Sequence, residues 1–360
     1  MSVLVFGVAS VSAQDVIAGA DVSFLRQMES RGVVFKDAGV AKPGLQILRD
    51  HGYTWVRLRV MVDPITLPNT LDYTIASAKD AKSRGFKVLL DFHYSDDWAD
   101  PGHQWVPRAW AKMSHAELTK AVFGYTRDTI RAFRKAGVLP DMVQVGNEVT
   151  AGMMWPDGRL PAEWQNFAEL LLAGIHGVDK GRGWSRRPVI MIHIDKGGNQ
   201  AATKSFLDHL AQYRVPYDVV GQSYYPWWQG SLDDLKGNLA FVWNTYHKSV
   251  VVAETAYDWR TGEDFKGQPA PFPQTPEGQR DFLAALDRVV REAPGGKMRG
   301  IFWWEPMAGG AIAKRALFDD QHEALPAIHV FDTTLESLGK LLRSDGSGND
   351  LALLRFGLAF

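Results

Sequence analysis

The feature that most restricts the fold of this chain is an alternation, kept up along its length, between short apolar β-branched runs and longer segments with helical spacing. Residues 16–24, 54–60, 86–93, 141–147, 188–195, 217–225, 250–253 and 299–305 read as eight buried strands. Helical stretches lie at 44–52, 71–85, 114–137, 161–178, 203–213, 232–246, 276–291 and 335–342. Their punctuation agrees: Gly85 closes one, Ser114 with Glu117 three residues later forms a capping box, and Pro276 opens another. Eight strand-then-helix units with no internal repeat and no linker predict an α/β fold, a closed (β/α)8 TIM barrel in a single domain, over an open doubly wound sheet.

Composition narrows the class further. A formal net charge of −1 gives no electrostatic case for nucleic acid or an anionic membrane surface. The chain has no cysteine, which excludes disulfides, thiolate metal sites and cysteine nucleophiles. No stretch is apolar for long enough to span a bilayer. Residues 1–13 form a short apolar run ending in small residues, Val11-Ser12-Ala13, and are expected to be a signal-peptide remnant. A disordered or core-covering tail is the alternative. The catalytic domain is then 14–360, and the location secreted, periplasmic or cell-surface. The 13 tryptophans are a heavy load. Some must fill the core, but tryptophans at strand ends also suit the apolar faces of sugar rings.

Two of the apolar runs end in carboxylates. Strand four finishes in Asn147 and Glu148, and strand seven at Glu254. In a parallel barrel the carboxyl ends of all strands share one rim, so carboxylates from distant parts of the chain converge there. Either alone would read as a solvated strand-end carboxylate; the pair, with Asn147 beside one of them, reads differently. Retaining hydrolysis of a glycosidic bond needs a nucleophilic carboxylate and a carboxylic acid roughly 5–5.5 Å apart. Asn147 is expected to bond the sugar's 2-hydroxyl. Arg59, ending strand two, is expected to hold Glu254 ionised while Glu148 keeps its proton. The alternative for Arg59 is an ion pair that only ties loops. His93, His193 and Tyr225 end strands three, five and six and suit the positioning of the carboxylates, with satisfied core groups as the ordinary alternative.

The loop at 94–110, rich in Asp and Trp, is expected to line a cleft. His93, Asp96, Asp97, Asp100 and His103 cluster there without metal-ligand spacing, so no metal is expected. Gly-rich phosphate loops and a G-x-S-x-G elbow are missing, which argues against nucleotide and acyl-transfer chemistry.

These motifs together resemble the arabinogalactan endo-β-1,4-galactanases of glycoside hydrolase family 53. The likeness is carried by Gly19-Ala-Asp-Val-Ser23, Arg57-Leu-Arg-Val60, Asp91-Phe-His-Tyr-Ser-Asp96 with Trp98-Ala-Asp-Pro101, and Val145-Gly-Asn-Glu-Val-Thr-Ala-Gly-Met-Met-Trp-Pro156. It continues through Ser223-Tyr-Tyr-Pro-Trp-Trp228, Ala253-Glu-Thr-Ala-Tyr257 and Phe302-Trp-Trp-Glu-Pro306, from strand one to strand eight. The resemblance implies Glu148 as acid/base, Glu254 as nucleophile, and internal cleavage of β-1,4-galactan, a pectin side chain, with retention. It implies that Trp98, Trp227, Trp228 and Trp304 stack on galactose, and that Asp91, Asp195 and Tyr225 contact substrate or nucleophile. It also implies a cofactor-free monomer whose only partner is the polysaccharide. Some family members hold calcium on an Asp-rich loop after strand seven; here that stretch reads Trp259-Arg-Thr-Gly-Glu-Asp-Phe-Lys266, so the ion is not expected. Asp258 also stands where the family often has Pro. The rivals are another retaining β-glycanase of the same superfamily, a cellulase or mannanase, and a galactan-binding protein without catalysis, which retention of both carboxylates disfavours.

Overall fold

The computed structural model describes residues 16–332. The expected signal remnant at 1–13 and the expected last helix at 335–342 lie outside them. Eight parallel strands close a barrel: β1 Val16–Asp21, β2 Trp55–Val60, β3 Lys87–Phe92, β4 Met142–Val145, β5 Val189–Ile194, β6 Val219–Ser223, β7 Ser249–Thr255 and β8 Arg299–Trp303. Each pairs with its sequence neighbour, and β1 meets both β2 and β8. The (β/α)8 expectation is therefore met. The helices are α1 Leu25–Ser30, α2 Gly44–Asp50, α3 Leu71–Ser83, α4 His115–Lys135, α5 Trp164–Gly181, α6 Gln200–Gln212, α7 Leu232–Tyr246 and α8 Pro276–Glu292. The Ser114 capping box forms as expected at the start of α4. None of the described helices is long and apolar enough to cross a membrane.

Two differences from the expected elements have local causes. The first strand stops at Asp21 rather than running to Phe24, because Asp21 turns its carboxylate back onto the Ser23 amide and hydroxyl, and the chain then enters α1. Helix α1, with only Leu25 fully buried, is too short for periodicity to reveal.

The period of two in each strand divides the core in two. One set, including Val56, Leu58, Val88, Leu90, Val143, Ile190, Ile192, Val220, Val252 and Ile301, belongs to the main core cluster with the helices. The other, Ile17, Trp55, Leu89, Met142, Met191, Val219, Val251, Ala253 and Phe302, is a separate cluster contributed by all eight strands. It plugs the amino-terminal half of the barrel's interior. Gly19 is required there: a Cβ on it would lie 2.5 Å from the Phe302 ring.

Candidate active site

Above that plug the barrel interior is ionic. Arg57 and Arg59, two residues apart on β2, point to the same side of the strand and are 0% and 1% exposed. The Arg57 guanidinium reaches Asp21 at 2.7 Å, Asp91 at 2.8 Å and Glu254 at 2.8 Å, and donates to Asn147 Oδ1 at 2.7 Å. Burial opposes these charges, but the three carboxylates hold Arg57 firmly cationic. Asp91 responds: despite its burial, Arg57 and His93 hold it at about 2. Gln144, also buried, donates to Asp91 at 2.6 Å and accepts from Arg57 at 3.2 Å.

The expectation that Arg59 pairs with Glu254 is corrected. Arg57, one layer deeper, makes that contact, while Arg59 pairs with Glu305 and lies 3.6 Å from Asp21. Its guanidinium sits under Trp98, 4.5 Å from the ring centre, and lines the cleft. The sequence offered two equivalent inward arginines, and only the depth of Glu254 decides between them.

That depth is set by a bulge. The β6–β7 register runs from Gln222 opposite Val252 directly to Ser223 opposite Glu254, leaving Ala253 as the extra residue. Val251 and Ala253 already point into the barrel. The bulge resets the alternation so that Glu254, the next residue, points inward too, within β7 rather than beyond its end. Glu148 arrives differently. It follows β4 in the left-handed conformation, φ 47°, which is unfavourable for a residue with a Cβ by roughly 1–2 kcal/mol.

Glu148 and Glu254 face one cleft of about 1000 Å³, which Arg59, His93, Trp98, Asn147, Asp195, Tyr225, Trp228 and Trp304 also line. Their environments separate them. Burial pushes Glu254 above the usual carboxylate value, Arg57 pulls it back, and Tyr225 donates its hydroxyl to it at 3.1 Å. Glu148 is pushed much further, first by burial and then by the charge of Glu254. Its partner is a hydroxyl rather than a cation, Ser223 Oγ at 2.5 Å. Of the pair, Glu148 is therefore the one that keeps a proton while Glu254 ionises.

Behind Ser223 stands His193, fully buried, with Nε2 2.9 Å from Ser223 Oγ and Nδ1 2.9 Å from Asn147 Oδ1. Asn147 is fixed in orientation, because its Nδ2 donates to Ala99 O and its Oδ1 receives Arg57. The shortest contact of His193 Nδ1, to Asn147 Oδ1, is satisfied when Nδ1 carries the hydrogen, although Gln144 Nε2 at 3.2 Å and the Glu148 amide at 3.4 Å approach the same atom. Burial and Arg57 push His193 well below the usual imidazole value, so Nε2 bears a lone pair. While Glu148 is protonated it can donate to Ser223, whose hydroxyl donates on to His193. When Glu148 ionises, the same hydroxyl turns to the carboxylate.

The remaining expected residues divide. His93 accepts the Ala99 amide at Nδ1 and lies 3.0 Å from Asp91. Asp195 has one oxygen on Lys196 at 2.8 Å and the other, Oδ1, without a protein partner. Trp98, Trp228 and Trp304 are presented to the cleft, and Trp228 is 66% exposed. Trp227 is not: it is buried against Phe265 with Arg315 over its ring, so it is corrected from a stacking surface to a support for its neighbours. Asp91 and His193 lie beneath the cleft wall and act through the side chains they hold, Arg57, Gln144 and His93 for Asp91, Ser223 and Asn147 for His193. Ser223 and Gln144 escaped the sequence reading, since a strand Ser or Gln carries no signal until its neighbours are known. On the loop after β7, Asp264 is gripped by Arg315 at 2.7 Å through both oxygens and lies 3.2 Å from Lys314. Lys314 is also 3.5 Å from Asp258, which burial and Asp264 push up to about 7. The acids of this loop thus meet basic side chains.

Comparison with known proteins bears on the family and the fold. The family model described as Glycosyl hydrolase family 53 matches residues 17–331. A protein of Niallia circulans, described as "Uncharacterized protein in bgaB 5'region", is 42% identical over 81% of this chain and 83% of its own. The arabinogalactan endo-beta-1,4-galactanase of Cellvibrio japonicus is 36% identical over 80% of this chain and 79% of its own. Among solved structures, the Ignisphaera aggregans GH53 catalytic domain superposes with a TM-score of 0.82 at 34% identity, covering 92% of this chain and 99% of that one. The chain belongs to glycosyl hydrolase family 53.

Proposed function

We propose that the protein is a retaining endo-β-1,4-galactanase, with Glu254 as nucleophile and Glu148 as acid/base. One observation carries the residue roles: of two carboxylates on one cleft, one touches an arginine and the other only a hydroxyl. In the first step the Glu254 carboxylate attacks the anomeric carbon and the Glu148 proton goes to the departing glycosidic oxygen, leaving a glycosyl ester on Glu254. In the second, the Glu148 carboxylate takes a proton from water, and the resulting hydroxide displaces Glu254 at the same carbon. Two inversions give net retention. Asp195 and Arg59, which line the cleft, suit hydroxyls of a neutral sugar, and the exposed face of Trp228 suits its apolar side.

The names of the relatives support galactan as the substrate, and the pectin side chain is the form of it we infer. We also infer a secreted or cell-surface monomer whose catalytic domain is residues 14–360. The test is hydrolysis of β-1,4-galactan, β-mannan and cellulose by the wild type and by Glu148→Gln and Glu254→Gln, with the anomeric configuration of the first product read by NMR. Cleavage of galactan alone, initial β-product, and loss of about 10³-fold or more in both variants is expected. Preferred cleavage of mannan or cellulose, or an α-product, would reject the reading.

A further inference from the structure

At the opposite end of the barrel from the cleft, three segments bring together Asp37, His51 and His329. Asp37 lies in a short hairpin, Lys36–Asp37 with Val40–Ala41; His51 caps α2 just before β2; His329 lies in a 3-10 turn, Pro326–Phe331. One potential donor atom from each lies within 4.8 Å of the other two. The contact between the segments is tight. Gly52, at φ +82°, packs so closely on the turn that a Cβ there would fall 2.4 Å from Phe331 O.

The hydrogen bonds around the three residues prepare them as ligands. Asp332 presents one oxygen to His51 Nδ1 at 2.8 Å and the other to His329 Nδ1 at 2.9 Å. A carboxylate on Nδ1 of each ring places a hydrogen there and reserves Nε2 of the neutral ring as the ligand atom, the arrangement usual behind metal-bound imidazoles. The rings meet edge to face with centres 4.2 Å apart. His51 is 8% exposed, and its Nε2 is buried without a hydrogen-bond partner, 3.4 Å from Asp37 Oδ1. Lys42 occupies only the other oxygen, Oδ2, at 2.9 Å, so Oδ1 is left to face the histidine. Without a proton or a cation between them, a lone pair and a carboxylate oxygen would oppose each other.

We propose that Asp37, His51 and His329 form a structural site for a divalent transition metal, of the zinc class, with water in the fourth position. Two imidazoles and one carboxylate suit zinc, and a Lys beside the carboxylate makes the set a poor cage for calcium or magnesium. Tetrahedral zinc wants donors roughly 3.3 Å apart at bonds of about 2.0–2.1 Å. The half-exposed His329 can close that remaining distance, whereas His51 and Asp37 are held by the fold. The ion would join the last described turn to the hairpin and to α2. No sequence spacing announces it, because the ligands come from segments 14 and 278 residues apart (37 to 51, 51 to 329).

The experiment uses the full tag-free chain, stripped of metal and then equilibrated with zinc alone, with cobalt alone, or with calcium alone. One zinc per chain, a tetrahedral cobalt spectrum and a rise in Tm of roughly 5 °C at about a hundredfold excess over Kd are expected, with no shift from calcium. His329→Gln, at a half-exposed position, and Asp37→Asn should each weaken zinc binding at least tenfold and cancel most of the rise. Polysaccharide hydrolysis should persist in His329→Gln. Wild-type chain that takes up no zinc, or zinc uptake undiminished in both variants, would overturn the site.

Discussion

The two halves of the barrel interior are built from the same eight strands and solve opposite problems. The amino-terminal half is filled with Ile17, Trp55, Leu89, Met142, Met191, Val251 and Phe302. The carboxyl-terminal half holds Asp21, Arg57, Asp91, Gln144, His193 and Glu305, equally hidden from solvent. The lower half needs only shape. The upper half must give every charge a partner, since an unpaired buried ion costs several kcal/mol whereas a well-packed apolar replacement often costs nothing. Stability alone would have favoured extending the plug upward. The ionic layer persists where the carboxyl ends of the strands meet the cleft, and its expense is the cost of keeping one carboxylate charged and its neighbour protonated.

The sharpest way to break the comparison is Arg57→Met. It should destabilise the fold by about 3–5 kcal/mol, because Asp21, Asp91 and Glu254 lose their common cation, and it should abolish hydrolysis in whatever folded fraction remains. Denaturant unfolding and activity measured together would check it; a stable, active variant would show that the layer does not depend on this residue. Met191→Ala, in the plug, should cost about 2–5 kcal/mol and leave kcat/KM of the folded enzyme within a factor of about two. Comparable loss of activity there would mean that the two halves are not separable.

The dependence on pH separates them further. Folded-state values of Glu148, Glu254 and Glu305 lie above the ordinary 4.5, with Glu305 at about 8. At these three groups the folded protein therefore binds more protons than the unfolded chain between about 4.5 and 8, and their contribution to stability should fall as pH rises through that window. His193, held well below 6.5, opposes them below that value. Asp91 works the other way: held at about 2, it adds stability above the usual 3.8 that is lost only as pH falls towards 2. Glu148→Gln should flatten part of the decline while losing activity, and a Tm profile of wild type and variant would test this. The kcat/KM profile should be bell-shaped, rising as Glu254 ionises and falling as Glu148 loses its proton.

How much of this could be read from sequence differs between the halves in the same way. Strand positions and the plug follow from apolar alternation, and all eight strands lie within a few residues of their expected bounds. The two glutamates were legible as the abrupt ends of apolar runs. What was not legible depended on depth and direction. Arg57 and Arg59 are equivalent in sequence and differ only by one layer in the barrel. Trp227 and Trp228 are adjacent in one motif, yet one is buried and the other exposed, because successive residues leave the loop in opposite directions. Ser223 matters only because the β7 bulge sets Glu254 opposite it and Glu148, in its left-handed position after β4, comes within reach of its hydroxyl.

The smallest expected effect is the most specific. Ser223→Ala removes a hydroxyl that bonds Glu148 in either state, but more strongly as a charge-assisted donor to the carboxylate. Glu148 should therefore hold its proton longer, and the alkaline limb of the profile should move up by roughly half to one pH unit with the acid limb fixed. Restoration by Ser223→Thr would tie the shift to the hydroxyl, and an unmoved alkaline limb would disconnect Ser223 from the proton.

Arg57 has one further consequence. Its single guanidinium binds side chains from the ends of β1, β3, β4 and β7 while rooted in β2, so it clasps five of eight staves like a hoop. A site braced in this way has little room to loosen ahead of its scaffold. On heating, the catalytic competence of this enzyme should vanish together with the barrel itself rather than in a milder, earlier melting of the rim.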